Sequence, residues 1–211
     1  MSHFTAEQPQ SGTPRHFYLP WTDGEHNLDE GIEFGKALAQ SAKLPLEVGM
    51  PQLNQIPDEL AKLPHFTERS HSSLRIPRVV LLLHPTYKLM RHGRPGDGSY
   101  AVVVEFATEK LHGWATFTGA LNIKSKEAMS PKLSAAAREL YERIEFNGNN
   151  GWADAPGKRD AIRDLRELKD MGELDVDLLR GYMLTRSQTS DTAIERLIKL
   201  AEGVAQDSKS S

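Results

Sequence analysis

The pattern of apolar and polar positions changes character near residue 125. Upstream of it, short apolar runs stand between prolines, glycines and polar turns. Phe17-Tyr18-Leu19 is closed by Pro20, Leu46-Glu47-Val48 follows Pro45, and Val79-Val80-Leu81-Leu82-Leu83 lies between Pro77 and Pro85. The last is an uninterrupted aliphatic run, the signature of a central strand buried on both faces. Tyr100 to Ala107, with three consecutive valines, reads as a second such strand. Trp114 to Ile123 alternates instead: Ala115, Phe117, Leu121 and Ile123 share one side while Thr116, Thr118 and Asn122 share the other, which predicts a half-exposed strand. Thr108 to Gly113 is too short for a parallel crossover, so these last two strands are expected to pair as a hairpin within a mixed sheet.

Helical periods are interleaved with these runs. Asn27 and Glu30 are spaced as a capping box for a helix over 28–43, and Pro57 opens a short turn through Leu63. From Ser130 the period becomes helical throughout. Leu133, Ala136, Ala137, Leu140, Tyr141 and Ile144 form one stripe of a helix capped by Ser130 with Pro131 at its first position. Asn147 to Gly151 reads as a flexible linker by composition, and helices follow over 158–171, 176–186 capped by Asp175, and 191–205 capped by Ser190. The expectation is an α/β (or α+β) fold: a mixed sheet with helices packed on it over 16–125, then an all-helical region over 130–205. Residues 1–15 and 206–211 are expected to be disordered tails.

Composition adds exclusions. The chain has 211 residues, no Cys and a net charge of −3. Disulfides, thiolate metal sites and cysteine nucleophiles are therefore ruled out, and a reducing, cytoplasmic location is expected. Residues 1–15 lack a charged segment followed by an apolar run, and Val79–Leu83 is far below the roughly 20 residues that span a bilayer, so no membrane association is expected. No cofactor and no metal site are anticipated, because His84, His92 and His112, with Asp97 and Glu105, show no ligand spacing. Gly31 to Lys36 is one residue short of a phosphate loop and lies inside a helical pattern, and no nucleophile elbow is present.

The strongest chemical feature is the stretch from Arg69 to Gly96, which carries Arg69, Arg75, Arg78, Lys88, Arg91 and Arg94, three histidines and no acidic residue. It follows and surrounds the central strand, which suggests an anion site for a phosphate-bearing small molecule or nucleotide, with Lys88, Arg91 and Arg94 as its cations. The competing expectation is that these cations pair with Asp23, Glu25, Asp29, Glu30 and Glu33. Arg91-His92-Gly93 resembles the signature of the histidine phosphatase family, which implies a phosphate-accepting histidine at His92, held by Arg91. That family carries the triplet after its first strand and a second histidine late in the chain, whereas here no histidine follows His112.

The rival expectation is an interaction module whose C-terminal helices bind a protein or DNA partner. Ser190 to Ile198 is similar in pattern to the recognition helix of helix-turn-helix proteins. Its charge disfavours nucleic acid, since residues 155–211 hold ten Lys/Arg against eleven Asp/Glu.

Overall fold

In the computed structural model the chain is described at residues 14–23, 27–70, 75–93, 95–148, 150–186 and 189–207. It forms two compact units: one runs to Leu111 and takes in Thr118–Met129, and the other comprises His112–Phe117 and the chain from Ser130 onward. The expected tails at 1–13 and 208–211 lie outside the described residues.

The first unit is built on six strands: β1 (His16–Leu19), β2 (Leu46–Gly49), β3 (His65–Phe66), β4 (Val79–Leu83), β5 (Tyr100–Val104) and β6 (Leu121–Asn122). Their order is β3-β2-β4-β5-β1-β6. The α/β class and the helical C-terminal segment are as expected, but the sheet is parallel at every strand pairing rather than mixed. The only antiparallel pairings among the described residues are isolated bridges, Phe106 with Glu109 and Leu121 with Ala128.

Two local features account for the difference. Leu83 to Tyr100 leaves room for helix α2 (Tyr87–His92), enough to carry the chain back for a parallel neighbour. The stretch read as an alternating strand is helix α3 (His112–Thr118), with Gly113, Trp114, Ala115 and Thr116 buried in succession, which no alternating strand allows. The chain leaves α3 for β6, which pairs with β1 and not with β5.

The five residues of β4 are all buried, as the unbroken apolar run requires. Val79, Leu81 and Leu83 join Phe17, Leu19, Val102 and Val104 in one core with Ile32 and Ala39 of helix α1 (Asn27–Ala42). Asn27 is the first residue of that helix rather than its cap, and its side-chain Nδ2 donates to the Pro20 carbonyl at 2.6 Å. The turn expected after Pro57 is a single 3-10 turn at Asp58–Leu60.

At the amino-terminal edge of the sheet, Arg78 Nε donates to Glu47 Oε2 at 2.6 Å, with Glu47 fully buried and Arg78 nearly so. The Arg78 amide also donates to Ser99 Oγ at 3.1 Å.

The second unit contains α4 (Ala135–Asn147), α5 (Ala155–Asp170), α6 (Val176–Leu184) and α7 (Asp191–Gln206). The cap of α4 is Ser134, whose side chain accepts from the Ala137 amide, so the helix starts later than Ser130-Pro131 suggests. Helix α5 begins earlier than expected because Asp154 caps it and proline occupies its first turn. Helix α7 reaches Gln206, one residue into the stretch read as a tail. The Asn/Gly segment includes a tight turn in which the Gly151 amide donates to the Gly148 carbonyl at 2.8 Å; Asn149 lies outside the described residues. Helices α3 and α6 cross at two glycines, since a Cβ on Gly181 would lie 2.0 Å from the carbonyl carbon of Gly113. Among the described residues no helix is long and apolar enough to cross a membrane.

Removing Arg78 takes from the fully buried Glu47 carboxylate the guanidinium it accepts from, and so disturbs the charge balance at that edge. Arg78→Ala is expected to cost about 3–5 kcal/mol in urea denaturation, whereas the joint replacement Arg78→Met/Glu47→Leu should recover most of that loss. Equal losses in the single and double variants would show that the pair itself, and not its charge balance, is what matters.

Candidate functional site

In a parallel sheet all strands end at one edge, and ligands sit where neighbouring connections leave in opposite directions. Here β2 continues outward to β3 while β4 continues inward to β5, so the connections diverge between β2 and β4. The segment after β4 is therefore at the place in the fold where binding is favoured.

Thr86 caps α2, accepting from the Leu89 amide at 3.2 Å, while its own hydroxyl donates to Glu68 Oε1 in the segment after β3. That segment turns on itself, with the Thr67 amide donating to Ser70 Oγ at 2.9 Å. At the other end of α2, His92 Nδ1 lies 3.5 Å from the Thr67 carbonyl. A Cβ on Gly93 would stand 2.6 Å from Leu82 Cδ2, so α2 ends against the face of β4 that carries Leu82. Leu81 and Leu83 belong to the opposite, α1-facing core.

The structure divides the basic stretch. Arg75 and Arg78 precede β4 and belong to the amino-terminal edge, where Arg78 is consumed by Glu47. Arg69, Lys88 and Arg91 follow β3 or β4 and belong to the carboxyl edge. Lys88 and Arg91 are one turn apart on α2, and His92 is the next residue on the same side of the helix. Lys88 is exposed, while Arg91 and His92 are half-buried. Arg94 lies outside the described residues. The triplet Arg91-His92-Gly93 closes a helix instead of emerging from a strand. None of the acidic partners suggested by the sequence is the one Arg78 uses. Among the described residues no group of three or more His, Asp or Glu side chains could hold a metal ion.

A second set of residues lies at the same edge; of these the sequence offered His84 and Glu105 only as metal ligands, and Tyr18, Trp21 and Phe106 not at all as site residues. Glu105, immediately beyond β5, is almost fully buried; it accepts from the Trp21 amide at 2.9 Å and from the Leu111 amide at 2.6 Å. Tyr18 also bonds to this carboxylate, and burial, followed by the charge and hydrogen bond of Glu105, holds the phenol far above its ordinary pKa. Beyond β4, His84 occupies the left-handed region with φ of 49°. Its ring lies 4.6 Å from that of Phe106, which in turn meets Trp21 edge-on at 4.7 Å and 66°. Phe106 remains 38% exposed, unusual for a ring in contact with two others. Reading the strand through Ala107 concealed Phe106 and the buried, amide-bound role of Glu105, because β5 ends at Val104. The available signal was the bulky or charged residue immediately after each apolar run.

In the second unit, the exposed charged residues of α7 are Asp191, Glu195, Lys199 and Glu202, and Glu195 takes the Arg180 guanidinium.

Burial lowers the pKa of His84 from 6.5, and burial with Arg15 nearby lowers that of His16. The unfolded chain then binds protons that the folded chain resists. Stability is full above 6.5 and falls as the pH drops below it. His84→Asn, which tolerates positive φ, should narrow the difference in urea-denaturation stability between about pH 7.5 and about pH 5.5. An unchanged difference would exclude His84 as a contributor to acid sensitivity. No family model matches this chain, and neither the curated proteins nor the solved structures yield a match.

Proposed function

We propose that the carboxyl edge of the first unit binds an anionic, phosphate-containing small molecule in the cytoplasm. Lys88 and Arg91 supply the charge, and His92 beside them is the candidate proton-transfer group. The observation that carries this reading is the position of α2, with both cations on adjacent turns, at the exit of the central strand where the connections from β2 and β4 diverge. The bond from the Thr86 hydroxyl to Glu68 supports it further, because it ties the start of α2 to the segment after β3 and holds the helix at that exit.

Thermal denaturation with inorganic phosphate and with nucleotides tests the proposal. A ligand at one hundred times its Kd should stabilise the wild type by about 2.7 kcal/mol. The double variant Lys88→Ala/Arg91→Ala should lose that stabilisation, read as the ligand-induced shift from its own ligand-free melting temperature. Failure of every phosphate-bearing compound to stabilise the wild type, or equal stabilisation of the double variant, rejects the reading.

A further inference from the structure

Three adjacent strands, β4, β5 and β1, each release an aromatic ring at the carboxyl edge: His84, Phe106 and Trp21. The rings contact in that order, with centroid separations of 4.6 Å and 4.7 Å. Their backbones are cross-tied. The His84 amide donates to the Val104 carbonyl at 2.9 Å, and the Glu105 amide to the Leu19 carbonyl at 3.0 Å. The Trp21 amide donates to the Glu105 carboxylate at 2.9 Å. Phe106 heads a tight turn closed by the Glu109 amide at 3.3 Å. The shelf is thus assembled before any ligand arrives, and its central residue, Phe106, keeps more than a third of its surface open.

We propose that Trp21, Phe106 and His84 form a ring-binding subsite that stacks the planar base of a nucleotide. A planar heteroaromatic ring is the occupant that this arrangement fits. It offers a flat π face to Phe106 and gains from offset or edge contacts with the rings on either side. An aliphatic group would gain area but none of that geometry. His84 stands two residues before Thr86, the cap of the helix that carries Lys88 and Arg91, so the shelf and the cations belong to one continuous segment. The inference deepens the anion reading by making its ligand a nucleotide, yet it rests on different residues.

Calorimetric titration of the full chain with adenosine, ribose 5-phosphate and adenosine 5′-monophosphate separates the two. Phe106→Leu should weaken adenosine and the nucleotide by about tenfold to a hundredfold and leave ribose 5-phosphate unchanged. Trp21→Phe, which keeps a ring in place, should retain most of the nucleoside affinity, whereas Lys88→Ala/Arg91→Ala should weaken only the two phosphate-bearing ligands. If adenosine does not bind the wild type, or Phe106→Leu binds it as tightly, the ring subsite is wrong. Should adenosine bind through Phe106 while ribose 5-phosphate binds nowhere, the ring subsite stands and the anion reading falls.

Discussion

The carboxyl edge of the first unit depends on the burial of one carboxylate. Glu105 stands immediately after β5, where the parallel sheet delivers the ends of β4 and β1 on either side. A buried carboxylate without donors would be strongly unfavourable. This one is bonded by the amides of Trp21 and Leu111 and by the Tyr18 phenol. The two amides belong to connecting segments with no ladder of their own to hold them. Satisfying the charge and ordering the edge are therefore the same event, and burial first, with the neighbouring carboxylate second, raises the pKa of Tyr18.

Sheet polarity imposes a second constraint. A cluster of cations in sequence need not be a cluster in space, because a strand carries the chain from one edge of the sheet to the other. Crossing β4 sends Arg75 and Arg78 to one edge, and Lys88 and Arg91 to the other. At the first edge, Arg78 answers a fully buried glutamate and contributes to folding. At the second, a short helix spaces Lys88 and Arg91 by one turn. The stretch thus serves two purposes that composition alone merges into one.

Much of the architecture was legible because apolar runs report burial directly. The β4 and β5 runs, α1 and the last three helices all stand close to where periodicity places them. Strand direction was not legible: it depends on which strands become neighbours, and β1 inserts itself between β5 and β6. The Trp114–Ile123 strand failed for a different reason, since its alternation over 115–118 is short enough to fit either period and only the consecutive burial of Gly113 to Thr116 distinguishes them. At the candidate site, Lys88, Arg91 and His92 were visible as charge. The Trp21–Phe106–His84 row was not, because its members are far apart in sequence and meet only through the strand order.

His84 shows how closely the edge is specified. A left-handed backbone at a non-glycine residue costs about 1–3 kcal/mol, and glycine would remove that cost. Glycine would also leave Phe106 with one ring neighbour instead of two. The imidazole is held neutral by burial, so it adds a flat, uncharged surface to the shelf and leaves positive charge to the helix beyond it. Ring and charge are thereby kept apart along a few residues of chain. That separation is what a ligand with a planar, neutral end and an anionic end requires, and it arises from where β4 stops and α2 begins.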